Sequence, residues 1–316
     1  MAAAVEDFGP AMEPYRTELL AYCYRMLGSV QDAEDLVQDV YLRAWRAREQ
    51  YDPGRSAVRT WLYRIATNVC LTALRSRTRR PLPSGFVAAS EPDAAFVRGE
   101  TPWLQPLPDS LLDGDPAGAV IERAGLRLAF AAALQHLSSR ERAALVLRDV
   151  LEFPAAEAAE ILGTSTASVT SALQRARVRM KELGSADHDH GEASDAESQR
   201  WVDRYLQAFE RADVQGLLQL ITEDVIMEMP PMVNWFAGPD NYRVFMEWVF
   251  RTNGADWRLQ RLSANGQPGF AAYRRSGGDY VLHTVQILTV SVDGISRNSV
   301  FQDPEVFAAF GLPGER

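Results

Sequence analysis

The chain has 316 residues, of which 47% are hydrophobic and 24% charged, with a formal net charge of −9. This is the composition of a folded protein long enough for two or three domains, and no run approaches the about 18 consecutive apolar residues of a membrane span. The two cysteines, Cys23 and Cys70, both sit in apolar helical patterns, which excludes a disulfide framework and argues against a zinc site. The N-terminus, MAAAVEDFGP, carries acids where a signal peptide needs bases, so the expectation is a cytoplasmic, reduced protein without metal or membrane contact.

Residues 11–80 read as nearly continuous helix, with Leu19, Leu20, Tyr22, Cys23 and Met26 as a buried stripe. Within it, GSVQDAEDL signals a break and a fresh start: Gly28 ends one helix, and Ser29 or Asp32 caps the next. The second helix sets Asp32, Glu34, Asp35 and Asp39 among apolar residues. Residues 53–90 then hold seven arginines (55, 59, 64, 75, 77, 79 and 80) and no acid. Seven prolines in residues 81–118 rule out helix or central strand there and predict an extended linker.

Helix returns over about 119–183. In EFPAAEAAEILGTSTASVTSALQRARVRMKEL (152–183), Ala155 to Leu162 make a short helix, Gly163 permits the turn, and Thr164 or Ser165 caps a second helix. Val169, Leu173 and Ala176 repeat as its core-facing stripe, while Ser168, Ser171, Gln174, Arg175 and Arg177 face outward. That is a helix-turn-helix, whose second helix enters the major groove. Small hydroxyls near its start suit bases and backbone, and the trailing arginines suit phosphates.

Charge is unevenly spread. Residues 1–185 hold 22 Lys+Arg and 23 Asp+Glu, a net of −1, and residues 186–316 hold 11 and 19, a net of −8. Residues 161–181 are a second acid-free basic segment, with Arg175, Arg177, Arg179 and Lys181. Two such segments in a neutral half are the footprint of two DNA contacts; two solvated helix faces are the alternative.

The order of acidic helix, basic aromatic helix, proline-rich linker and helix-turn-helix resembles bacterial sigma factors of the extracytoplasmic-function class in the sigma-70 family. The matching stretches are DAEDLVQDVYLRAW (32–45), RTWLYRIATNVCLTALRSRTRR (59–80) and LSSRERAALVLRDVLEFPAAEAAEILGTSTASVTSALQRAR (137–177). The resemblance implies a domain over 10–80 for core polymerase and −10 promoter binding, a linker over 81–118, and a domain over 119–184 for the −35 element. It implies as partners promoter DNA and the RNA polymerase core, through the β′ coiled coil and the β flap. On the polymerase side it points to Asp32, Asp35, Leu36, Gln38 and Asp39, where complementary charge sets partner choice. Acids favouring the helix dipole are the alternative, which fits Asp32 and Glu34 but explains Asp39 poorly.

For −10 DNA the resemblance points to Arg59, Trp61, Arg64, Asn68, Arg75 and Arg77, with the loop 51–58 holding a flipped base. Trp61 and Tyr63 have core packing as their alternative role, preferred for Trp61. For −35 DNA it points to Ser165, Thr166, Ser168, Ser171, Gln174, Arg175 and Arg177. Thr72 stands where many relatives carry an acid, which leaves the local salt-bridge pattern open. In TPWLQPLPDSLLDGD (101–115), Trp103 and Leu104 either thread with the linker toward the polymerase cleft or tuck against the C-terminal domain.

After a polar linker at 185–197, the pattern changes. Residues 198–231 read as a long helix, a short helix and a strand; FAGPDNYRVFMEWVF (236–250) adds a helix, and four alternating strands follow up to Phe301. This order resembles the SnoaL-like polyketide-cyclase group of the nuclear-transport-factor-two-like superfamily, a sheet curled around helices into a cone with an apolar cavity. The expected architecture is therefore two all-α sigma domains plus an α+β cone-shaped barrel over 198–316. Candidate cavity residues are Trp235, Trp248, Tyr273, His283 and Phe301, with Met229 and Asp303. His283 and Asp303 as acid and base is one reading; a structural histidine and an aspartate capping the final helix is the other, and with it a non-enzyme without cofactor. The implied role is regulation in cis through contact with the sigma domains, with an unidentified small ligand as an option. The rival for the whole chain is a one-component DNA-binding regulator or an enzyme with DNA-binding helices, for which the surface 31–45 has no use.

Overall fold

A computed structural model describes residues 12–76, 79–91, 94–112, 127–184, 191 and 193–315. They fall into two compact units: Met1–Arg80 with Asp109–Ser185, and Pro81–Pro108 with Ala186–Arg316.

The first unit is helical. Helices α1 (Arg16–Leu27), α2 (Val30–Ala47) and α3 (Val58–Ala73) replace a single rod. Gly28, at φ 72°, returns its N–H to Tyr24, and the Ser29 side chain accepts from the Asp32 N–H at 3.3 Å. Leu19, Leu20, Tyr22, Cys23 and Met26 are all buried. The two thiols are free, buried and 3.7 Å apart. Tyr22 donates to or accepts from Thr67 at 2.7 Å, and burial pushes its phenol well above the usual range.

Helices α4 (Leu128–Leu134) and α5 (Ser139–Leu145) follow, the second opened by a Ser138–Glu141 capping box and prolonged by a π-helical turn at Val146–Val150. Then come α6 (Ala155–Leu162) and α7 (Thr166–Gly184), joined through Gly163 at φ 58°. Ser165 caps α7 by accepting from the Ser168 N–H at 3.2 Å. Val169, Leu173 and Ala176 are buried. Both halves of this unit share one core. Tyr63 meets Phe153 edge-on at 5.0 Å, and buried Arg142 donates to the Met26 carbonyl and, at 2.9 Å, to Gln135. Burial lowers the Arg142 guanidinium to about 10, so it stays charged at neutral pH.

In the second unit, α8 (Asp195–Glu210) starts at a Ser194–Glu197 capping box and α9 (Val214–Leu218) is capped by Asp213. Strands β1 (Ile221–Glu228), β2 (Trp235–Ala237), β3 (Trp257–Ala264), β4 (Gln267–Ser276), β5 (Asp279–Ser291) and β6 (Gly294–Phe301) form one sheet in the order β2-β1-β6-β5-β4-β3. Its pairs are antiparallel except β1 with β6. Helix α10 (Pro239–Asn253) packs on β1 and β2, and α11 (Pro304–Ala309) closes the chain. Phe209 lies within 5.5 Å of Phe250, Trp257 and Phe270, at the centre of the core between helices and sheet. Such edge-to-face aromatic contacts each add about 0.5–1.5 kcal/mol beyond area burial.

The proline-rich segment differs from a free linker. Proline denies it a helix, yet several of its described backbone and side-chain groups find partners in the C-terminal unit. The Ser90 N–H donates to Trp235, the Gly99 N–H to Pro231, and the Leu107 N–H to the Asn265 side chain at 2.8 Å. The Asn234 side chain brackets it, accepting from the Val97 N–H at 2.8 Å and donating to Ala95. Trp103, Leu104 and Leu107 are buried in this unit.

At one anchor of this strap lies a buried ion pair. Arg297 donates to Glu228 at 3.0 Å, Ser299 adds a bond at 2.9 Å, and Ser84 of the strap donates both its hydroxyl, at 2.6 Å, and its N–H, at 3.2 Å. Glu228 has no solvent exposure. Removing one partner of a buried pair costs about 3–5 kcal/mol because the other charge is stranded. Arg297→Met is expected to lower stability of this unit on that scale, and Glu228→Gln combined with Arg297→Met to recover part of it, read from urea unfolding followed by tryptophan fluorescence. A cost under about 0.5 kcal/mol for Arg297→Met would contradict this account.

Candidate polymerase and promoter surfaces and the C-terminal cavity

On α2 the residues expected to meet the polymerase divide. Asp35 and Gln38 are exposed, Asp39 is half-exposed and Leu36 half-buried. Asp39 is held by Arg43 one turn on, which donates to both carboxylate oxygens at 3.0 Å. Asp32 departs from the expectation: it pairs with Arg80 at 3.0 Å with its side chain 18% exposed, so its charge is answered inside the unit. Leu42 and Trp45, outside the expected set, are 56% and 45% exposed. Asp35, Gln38, Asp39, Leu42 and Trp45 follow one helical stripe, acidic at one end and apolar at the other. Large apolar side chains left outside at core-like spacing are the signal for them, and only burial distinguishes them from core residues.

On α3, Arg64 and Asn68 are exposed, as is Arg75 just past the end of the helix. Trp61 does not present its ring: it is 5% exposed and packs on Tyr51 at 5.1 Å. That corrects its assignment to the DNA-facing set and agrees with the core alternative. Arg59 is engaged as well, donating to both oxygens of Glu18 at 3.0–3.1 Å beneath the Phe153 ring. Arg77 lies outside the described residues. Thr72 is exposed and bonds back to the Asn68 carbonyl. The start of α3 lies against α6: Thr60 donates to Glu157 at 2.8 Å, and Arg64 is 3.7 Å from Glu160.

On α7, Ser165, Thr166, Ser168, Ser171, Gln174, Arg175 and Arg177 are all exposed. Its arginines are oriented by acids. Arg175 donates to Glu141 at 2.7 Å, holding that carboxyl below its usual range, and Arg177 pairs with Asp149, which raises the guanidinium.

Three family models match this chain: Sigma-70 region 2 over residues 11–80, Sigma-70 region 4 over 127–180, and a SnoaL-like domain over 202–297. The ECF RNA polymerase sigma factor SigG of Mycobacterium tuberculosis is 47% identical over 312 residues, covering 97% of this chain and 84% of that one. The chain belongs to the extracytoplasmic-function sigma factors. As a member it directs promoter-specific transcription initiation by RNA polymerase. The sigma factor is also similar to SigJ of the same organism, 31% identical over 220 residues and covering 67% of this chain and 62% of that one. The crystal structure of SigJ aligns over 96% of this chain and 99% of that one with a TM-score of 0.66 at 24% identity, a likeness of fold.

In the sigma factor's C-terminal unit the sheet and α10 enclose a cavity of about 190 Å³. Trp248 and His283 line it, as do Met227 and Met229, with Asn298 and Gln286 on the sheet side. Trp235, Tyr273 and Phe301 do not: Trp235 instead donates its indole N–H to the Val87 carbonyl of the strap at 2.9 Å. Tyr273 and Phe301 are buried outside the lining. Strand parity explains them, since Phe270, Ala272 and Val300 join the helix-side core and their neighbours face the other way. Asp303 caps α11 by accepting from the Glu305 N–H at 2.9 Å, as one of the two readings had it.

His283 owes its position to a bulge. Ala272 pairs with Thr284 and Tyr273 with Leu282, which leaves His283 without an opposite residue, so that it and Thr284 both reach the lining. Burial, with Arg274 adding repulsion, depresses its imidazole from 6.5 to about 4. The charged form is thus disfavoured in the fold. Stability is therefore lost as pH falls from about 6.5 toward 4, where the unfolded chain takes a proton and the folded one does not. The thermal midpoint of the wild type is expected to drop further between pH 7 and pH 5 than that of His283→Asn; equal drops would refute this.

Proposed function

We propose that this sigma factor docks on the polymerase core through the stripe Asp35, Gln38, Asp39, Leu42 and Trp45 of α2. In this reading Arg64 and Asn68 of α3, with Arg75 just past its end, contact the −10 element, after the preceding loop has captured a flipped base. The N-terminal half of α7, with Ser168, Ser171 and Gln174, reads the −35 element, and Arg175 and Arg177 exchange their carboxylates for phosphates. The β′ coiled coil is the partner for α2 and the β flap for the domain carrying α7. A cytoplasmic site of action follows from the partner.

The C-terminal domain acts in cis by retaining the chain that joins the two sigma domains. One observation carries this: Pro81–Pro108, which lies between the matches to region 2 and region 4, belongs to the same compact unit as the SnoaL-like domain. Those domains are tethered through a segment that a third domain holds by hydrogen bonds and a buried carboxylate. No reaction is assigned to the cavity, in which His283 is the sole titratable group among the described lining residues.

Run-off transcription with purified core polymerase tests both parts. Asp35→Arg combined with Leu42→Asp is expected to reduce core-dependent transcripts at least about tenfold, since charge reversal and a buried carboxylate both oppose docking. Ser84→Ala combined with Trp235→Phe loosens the strap and is expected to raise output. Unchanged output would overturn regulation through the strap, and duplex binding without any core-dependent transcript would favour a free-standing DNA regulator.

A further inference from the structure

The matches to region 2 and region 4 lie in one compact unit, and the contact between them falls on the side of α3 that carries Arg64. Phe153, at the entrance to α6, is buried: the Arg59 guanidinium stands over its ring at 4.4 Å, and Tyr63 meets it edge-on at 5.0 Å. In the first turn of α6 the Glu157 carboxylate accepts from the buried Thr60 hydroxyl at 2.8 Å, and a turn later Glu160 lies 3.7 Å from Arg64. On α3 these contacts come from positions 59, 60, 63 and 64, one face of the helix, and Asn68 continues that face one turn beyond Arg64. A helix is about 10–12 Å across with its side chains, so α6 occupies space that a DNA backbone needs in order to reach Arg64.

This arrangement cannot engage both promoter elements. Elements named for positions −10 and −35 are about 25 base pairs apart, which is about 85 Å of duplex at about 3.4 Å per pair. A compact chain of about 150 residues has a radius of gyration of about 15 Å, hence a diameter of about 40 Å. While α3 holds α6, therefore, α3 and α7 do not reach the two elements together.

We propose that α6 is an autoinhibitory latch: Phe153, Glu157 and Glu160 close over the −10-facing side of α3, and the chain reads a promoter only after region 4 has lifted off region 2. The latch rests on the assignment of Arg64 and Asn68 to the −10 element made above. Its parts differ in duty. Phe153 and Thr60 are buried and supply the hold, whereas the half-exposed pair of Arg64 and Glu160 adds little stability and instead occupies the guanidinium that a phosphate would take. Closed and open forms in equilibrium lower the apparent affinity for DNA in proportion to the open fraction. A polymerase core that grips the two regions at separate places favours the open form.

Two variants of the full chain move the latch in opposite directions. Thr60→Val combined with Phe153→Leu loosens it without changing charge. Thr60→Cys combined with Glu157→Cys, oxidised to a disulfide, locks it, and dithiothreitol releases it. Wild type taken through the same oxidation controls for the native Cys23 and Cys70, whose thiols are 3.7 Å apart. The readouts are fluorescence anisotropy of a short labelled single strand of mixed sequence without polymerase, and run-off transcription with core. The loosened variant is expected to bind the strand severalfold more tightly than wild type. The locked form is expected to lose at least about tenfold in transcripts and to regain them on reduction. A locked form as active as its reduced form, or an equal loss in oxidised wild type, overturns the latch. A loosened variant that binds no more tightly than wild type overturns it too, even if the disulfide does not form. Arg64→Ala combined with Asn68→Ala is expected to cut transcripts from wild type; unchanged transcripts there would count against the −10 assignment alone.

Discussion

A carboxylate with no access to water dictates much of the C-terminal unit. Glu228 sits at the end of β1, and the sheet itself supplies Arg297 and Ser299 as partners. Both bond the same oxygen. The other oxygen is met by the hydroxyl and N–H of Ser84. Each charge-assisted bond contributes about 1.5–3 kcal/mol, so without the strap this oxygen would be left short of partners in a low-dielectric site. Folding of the sheet and seating of residues 81–108 are therefore one event in energetic terms. The remaining strap contacts, through Asn234, Trp235 and Asn265, fix its path once the anchor is set.

In the helical unit the ionic contacts fall into two kinds. Arg142 is buried and makes its bonds to backbone carbonyls and to Gln135, so it is part of the frame. Arg64, Arg175 and Arg177 sit at the surface opposite Glu160, Glu141 and Asp149. Exposed pairs of that kind contribute about 0–1 kcal/mol. Such carboxylates hold the guanidinium groups in place, and exchanging one for a DNA phosphate of the same single charge is driven by release of the phosphate's condensed counterions. The Arg64–Glu160 contact with α6 is of the same surface type, whereas the Thr60 bond to Glu157 beside it comes from a buried side chain.

Much of this was legible in the sequence because it is local. Gly28 and Ser29, Gly163 and Ser165, and the stripe Val169, Leu173 and Ala176 follow from helix period and capping. The order of helices and strands in the C-terminal unit was legible for the same reason. Non-local pairings were not. Asp32 looked like its acidic neighbours until Arg80, 48 residues on, claimed it. Trp61 could be read as core or interface, with core preferred, and its burial against Tyr51 agrees with that preference. The cavity residues depended on strand parity, and a single bulge at His283 shifts that parity in a way no alternation pattern encodes. Proline density announced that 81–108 is not helical, but an extended strap and an extended free linker have the same composition.

The two ends of the strap's grip differ in what can change them. The Glu228 anchor is saturated by groups of the protein itself, and nothing that enters the cavity touches it. Among the described lining residues, Phe96 is the one drawn from residues 81–108. Its ring rests on Trp248 and Phe245 with much of its surface still in water. An apolar contact of that size changes in proportion to the area it covers. Phe96 is therefore the side chain through which the cavity wall and the chain between the sigma domains share a surface.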